Sequence, residues 1–162
     1  MRKAWLFWLS CLFVFGLDRA TKIWAESSLP QHESVPGITG AVQWTLMHNP
    51  GAAGGILQGY IELLIAISTL AVLMIIWYAY KGPHDRNLCL LLGLGFMCGG
   101  TLGNLFDRIF FQYVIDFIDP IGGNVVYNIA DKGIRWGMYL TLAGFAVAEL
   151  KKLAKRRKNM AS

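Results

Sequence analysis

The stretch "LLIAISTLAVLMIIWYAY" at 63–80 runs for eighteen residues without a charge. A helix needs about 20 apolar residues to cross the hydrocarbon core of a bilayer. Only helices and closed barrels can satisfy their backbone polar groups in lipid, so few other folds remain open to such a run. Similar runs occur elsewhere, and the spans are expected at about 4–24, 60–80, 88–105 and 130–150. The last is the least apolar, because Lys132 and Arg135 fall in its first turns. The "GLGFMCGGTLG" of the third is rich in small residues, which let helices approach closely in lipid. The expected fold is an all-α membrane protein with four transmembrane helices, forming one membrane-embedded domain over 1–162.

The opening basic residues before an apolar core have the form of a cleavable leader, and "WLSC" at 8–11 has the form of a cleavage box. The apolar run continues past Cys11 without a small-x-small site, which favours an uncleaved span. Of the fifteen basic residues, ten fall in three short segments: Arg2 and Lys3, Lys81 and Arg86, and six between Lys151 and Lys158. All three flank apolar runs, as cytoplasmic segments do under the positive-inside rule. Both termini, including the basic tail 151–162, are therefore expected in the cytoplasm. The net charge of +5 then reports topology, and no nucleic-acid partner is expected. The segments 25–59 and 106–129 become outer loops. In the first, "AVQWTLMH" reads as a short strand between prolines and glycines, so a small extracytoplasmic β element is expected. In the second, "FDRIFFQYVIDFI" mixes aromatics and charge, as an interfacial segment does.

Eight of the ten acidic residues collect at that outer boundary. A carboxylate near a span is costly and needs a partner or a task. Asp18 can pair with Lys22 at i+4. Asp107 and Arg108 can form a snorkelling pair, and Asp119 before Pro120 can open a turn. Asp131 can simply favour the start of a helix. Asp116 is harder to place, since "YVIDFI" surrounds it with apolar residues and no basic residue lies at i±3 or i±4. Two carboxylates meeting in a low-dielectric site share one proton and offer an acid and a base together. Asp116 and Asp131 are therefore the candidate catalytic pair. No HExxH, Gly-x-Ser, GxGD or phosphate-loop pattern occurs. Cys11, Cys89 and Cys98 lie inside apolar runs without metal-ligand spacing, so no metal or cofactor is expected. A small proton-coupled transporter and a structural scaffold remain as alternatives. The first would show repeat symmetry and midplane charge, and the second leaves Asp116 unexplained.

The chain resembles lipoprotein signal peptidases (signal peptidase II). The resemblance rests on ordered blocks: "DRATK" at 18–22, "NPGAAGG" at 49–55, "GGTLGNLFDR" at 99–108, "VIDFI" at 114–118 and "YNIAD" at 127–131. It implies an intramembrane aspartyl endopeptidase of the bacterial cell membrane. Such an enzyme cuts diacylglyceryl-modified prolipoproteins on the amino side of the lipidated cysteine. By that resemblance Asp116 and Asp131 are catalytic, and Asn49, Gly51, Asn104, Arg108 and Asn128 bind substrate. Asp18, Lys22 and Asp107 give structural support. The expected partners are the diacylated prolipoprotein and membrane lipid, with the enzyme itself a monomer. Gly54, Thr101, Tyr127, Lys132 and Arg135 depart from the family pattern.

Overall fold

The computed structural model describes residues 4–37, 40–52, 56–82 and 87–160. Arg2, Lys3, Gly54 and Arg86 lie outside the described residues. Four helices are present: α1 (Ala4–Ser28), α2 (Ile61–Lys81), α3 (Leu88–Phe111) and α4 (Ile129–Met160). Three strands, β1 (Ser34–Pro36), β2 (Val42–Asn49) and β3 (Val114–Pro120), pair antiparallel in the order β1-β2-β3. The sheet is entered from the end of α1 and leads to the start of α2. It is entered again from the end of α3 and leads to the start of α4, so it stands at one end of the helices.

Helices α1, α2 and α3 are each long and apolar enough to cross a membrane. Helix α4 is the longest of the four but less apolar, because Asp131, Lys132 and Arg135 occupy its beginning and a basic run its end. It extends through the tail expected after residue 150, and α3 likewise continues six residues past its expected end at 105. Asp107 and Arg108 are therefore helical and buried, with 0% and 9% exposure, and do not snorkel to the surface.

Helix α3 is the most buried of the spans and lies between α1 and α4. Its glycines make this possible. A Cβ on Gly99 would run into the Cys11 carbonyl on α1, and one on Gly100 into the Ala130 carbonyl on α4. Close backbone approach replaces bulky packing, as lipid offers no hydrophobic drive between helices. Asn87 caps α3 through its side chain, which accepts from Leu90 N–H at 3.0 Å, while its amide donates to the Gly144 carbonyl on α4 at 2.6 Å. Gln112 closes α3 with a left-handed φ of 66°.

Within the stretch 106–118 expected at the interface, residues up to Phe111 complete α3 and Val114 begins β3, which joins the same sheet as β2. Asp119 is not a turn residue. It lies in β3 and accepts from Gln43 Nε2 at 2.7 Å and Thr45 Oγ1 at 2.8 Å on β2. Trp24 of α1 meets Trp44 and Phe117 edge-on, with ring centroids 5.6 and 6.0 Å apart, which fixes the sheet to the extended end of α1.

Candidate active site

Asp116 sits in the middle of β3, opposite Met47 of β2, and the antiparallel register sets Asn49 opposite Val114. Residues of the same parity share a face of a strand, so Asp116 and Val114 look into the same space. After β3 the chain turns back, and Tyr127 bridges to Ile118. This short return brings Asn128 and the first turn of α4 against β3. Asp131, fifteen residues from Asp116 in sequence, thus comes to the same cavity. Its volume is about 450 Å³, and its wall includes Asn49, Asn104, Arg108, Asp116, Asp131 and Arg135.

Asn128 is the hinge of this arrangement. Its Nδ2 donates to Asp116 Oδ1 at 2.6 Å, to Asn104 Oδ1 at 3.1 Å and to the Ile115 carbonyl at 3.2 Å. Its Oδ1 accepts from Asp131 N–H at 3.0 Å, and its own N–H donates to Asp131 Oδ2 at 3.3 Å. The reciprocal pair is a capping box at the start of α4. The helix-start role expected for Asp131 is real, and it coexists with the carboxylate's place in the cavity. Asn128 is fully buried. It hydrogen-bonds to both aspartates from behind the cavity lining.

Each carboxylate has a second amide donor. Asn49 Nδ2 donates to Asp116 Oδ2 at 3.0 Å, and Asn104 Nδ2 donates to Asp131 Oδ1 at 2.8 Å. Asn49 Oδ1 in turn accepts from Gly51 N–H at 3.0 Å, so its amide has one orientation. Arg108 donates to the Gly51 carbonyl at 3.2 Å, tying the loop after β2 to α3. Gly51 contributes through its backbone, which residue identity alone does not reveal. Burial raises the Asp116 carboxyl to about 7, and the charge of Asp131 adds to the rise. Hydrogen bonds from Asn49 and Asn128 and the Lys22 charge act in the opposite direction.

Behind this cavity, α1 and α3 share a buried ion network. Lys22 Nζ lies 2.9 Å from Asp18 Oδ2 and 2.7 Å from Asp107 Oδ2, with all three side chains fully buried. Arg19, which the sequence reading passed over, joins Asp107 at 2.6 Å and Asp18 at 3.3 Å. Two acids and two bases balance, which is how charge survives in such a place. The network reaches toward the cavity at three points. Lys22 donates to Asn104 Oδ1 at 2.9 Å, turning the Asn104 amide donor toward Asp131. Asp18 Oδ1 accepts from Ala130 N–H at 2.9 Å, anchoring the turn that carries Asp131. Asp107 Oδ2 accepts from Ile115 N–H at 3.2 Å, next to Asp116.

A family model described as signal peptidase (SPase) II matches residues 10–147. The chain is 38% identical to a lipoprotein signal peptidase of Moorella thermoacetica over 135 residues, covering 83% of this chain and 88% of the relative. It is 36% identical to one from Nostoc punctiforme over 142 residues, covering 86% and 89%. Among solved structures, a bacterial membrane enzyme determined by the in meso method superposes with a TM-score of 0.77. The identity is 28%, with 91% of this chain and 88% of that chain covered.

Proposed function

Because the chain belongs to the signal peptidase II family, we propose that Asp116 and Asp131 are the acid–base pair with which it hydrolyses its substrate. The family removes signal peptides from prolipoproteins. The substrate proposed here carries diacylglycerol on its cysteine and is cut on the amino side of that residue. The observation that carries the proposal is that both carboxylates line one cavity at the sheet end of the helices, each held by two donors.

The two aspartates divide one proton. Asp116 holds it, favoured by burial. Asp131 serves as the base, its oxygens held by the Asn104 and Asn128 donors. Asp131 takes a proton from water as the water oxygen attacks the scissile carbonyl carbon. Asp116 gives its proton to the carbonyl oxygen. As the C–N bond breaks, Asp131 passes its proton to the leaving nitrogen and Asp116 recovers its own. The pair ends as it began, and the proton bookkeeping is that of an aspartyl protease. Arg108 faces the same space, and its positive field favours the partial negative charge that builds on the carbonyl oxygen before the Asp116 proton reaches it.

A multi-pass protein with both termini in the cytoplasm would put this cavity at the outer boundary. A lipid-anchored substrate reaches it there without leaving the bilayer. The test is a gel-shift cleavage assay on a diacylated prolipoprotein with purified wild type, Asp116→Asn and Asp131→Asn. Loss of cleavage in both folded variants is expected, and wild-type rates in either would sink the dyad.

A further inference from the structure

Arg135 follows Asp131 by one helical turn on α4 and lines the same cavity, between Ile134 and Met138. The rise of a helix puts it about 6 Å farther from the sheet end. Its side chain is exposed, and among the described residues no hydrogen bond, ion pair or ring contact engages it. The other cations nearby are occupied. Lys132 Nζ lies 4.2 Å from the centre of the Tyr127 ring, and Arg108 donates to the Gly51 carbonyl. Among the described residues Arg135 forms no pair with Asp131 at i,i+4; the Asp131 oxygens accept instead from Asn104 and Asn128.

A guanidinium is donor-only, with five N–H groups. On the cavity wall about one helical turn from Asp131, Arg135 is free to donate to oxygen acceptors of a bound molecule. The substrate proposed above supplies them there. With the scissile bond at the dyad, the cysteine sulfur lies just beyond it. The glycerol on that sulfur carries two acyl esters a few bonds away, and the cavity wall beyond Arg135 is apolar at Met138.

We propose that Arg135 is a specificity-determining residue that donates hydrogen bonds to the ester carbonyls of the substrate's diacylglyceryl group. The inference rests on the peptidase reading and deepens it. A lipid phosphate as acceptor would serve both substrates alike and would leave no preference between ester and ether linkages.

The test compares two lipidated peptides that differ only in the glycerol linkages, diacyl ester against dialkyl ether. The ether keeps the chains but removes the carbonyls. Hydrogen bonds from a charged donor predict an ester-over-ether preference of about tenfold in wild type, residing in KM. In Arg135→Met the preference should collapse toward one, and Arg135→Lys should restore part of it. An equal preference in wild type and Arg135→Met overturns the proposal. So does a loss on both substrates accompanied by a displaced pH profile, which would mean that Arg135 acts through the dyad's charge. Failure of the wild type to cut either peptide overturns the peptidase reading as well.

Discussion

Asn128 Nδ2 donates to Asp116 Oδ1 at 2.6 Å, while the backbone of the same asparagine exchanges hydrogen bonds with Asp131. One buried residue thus sets the separation of two carboxylates that belong to different elements. A strand residue and a helix residue keep fixed relative positions only when something rigid joins them, and the capping box does so at the first turn of α4.

If Asp116 and Asp131 act as a unit, their losses are not additive. Asp116→Asn, Asp131→Asn and the double variant should each lose about 10²–10⁴-fold in kcat. Single-turnover rates on a diacylated substrate measure this. A double variant far below the product-limited singles would mean that the two residues act independently.

The Asp116 carboxyl near 7 gives the pH profile a sign. The acid form is lost as pH rises, so kcat should fall on the alkaline side with an apparent pKa near 7 that belongs to the pair. The same shift bears on stability. A carboxyl raised above its ordinary value of 3.8 binds more protons folded than unfolded between pH 3.8 and about 7. Unfolding free energy should therefore decline across that window. Asp116→Asn removes the titration, so its melting temperature should exceed that of the wild type at pH 8 and change less with pH.

Asn49 lowers the Asp116 value through its hydrogen bond. Asn49→Ala should move the alkaline limb of the rate profile to higher pH while reducing kcat. An unmoved limb would show that the Asn49 donor does not reach Asp116 in the working enzyme.

Lys22 neutralises Asp18 and Asp107 where no water reaches them. Removing one partner of a buried ion network leaves uncompensated charge, a loss of roughly 3–5 kcal/mol. Lys22→Met should lower the melting temperature in detergent markedly, whereas Lys152→Met, in an exposed pair with Glu149, should leave it nearly unchanged.

The proposed orientation is checked by labelling in intact cells. Glu33 and Lys158 are both exposed. A cysteine placed at 33 should react with an impermeant reagent from outside, and one placed at 158 only after the membrane is opened. The reverse pattern would overturn the topology.

Apolar length was the plainest signal in the chain. The uncharged run at 63–80 became α2 with its ends displaced by two residues and one, because a helix in lipid is dictated by hydrophobicity and by backbone satisfaction alone. Strand β2 was legible as well, from "AVQWTLMH". Strand β3 was not, because its aromatics and charges suit an interfacial surface equally well and only pairing with β2 decides the matter. The ends of α1, α3 and α4 were underestimated: the ends of α1 and α3 continue beside the sheet, as Trp24 does against Trp44, whereas the last turns of α4 continue as an exposed basic helix beyond the apolar stretch.

The sequence by itself determined that this chain lives in a membrane and gathers its acids at one boundary. It also placed Asp116 and Asp131 in the company of asparagines that carry family motifs. Those facts follow from residue chemistry and order along the chain. Tertiary structure decided which atoms meet. Asn128 was legible as a polar residue near the site, but not as the buried hinge between the carboxylates. Arg19 was passed over beside Asp18, although it closes the ion network. Arg135 was visible only as an unusual charge, and its place on the cavity wall depends on how α4 sits against β3. Hydrogen bonds and ion pairs are fixed by positions across elements up to 112 residues apart, as between Asp18 and Ala130, and no local pattern encodes such a distance.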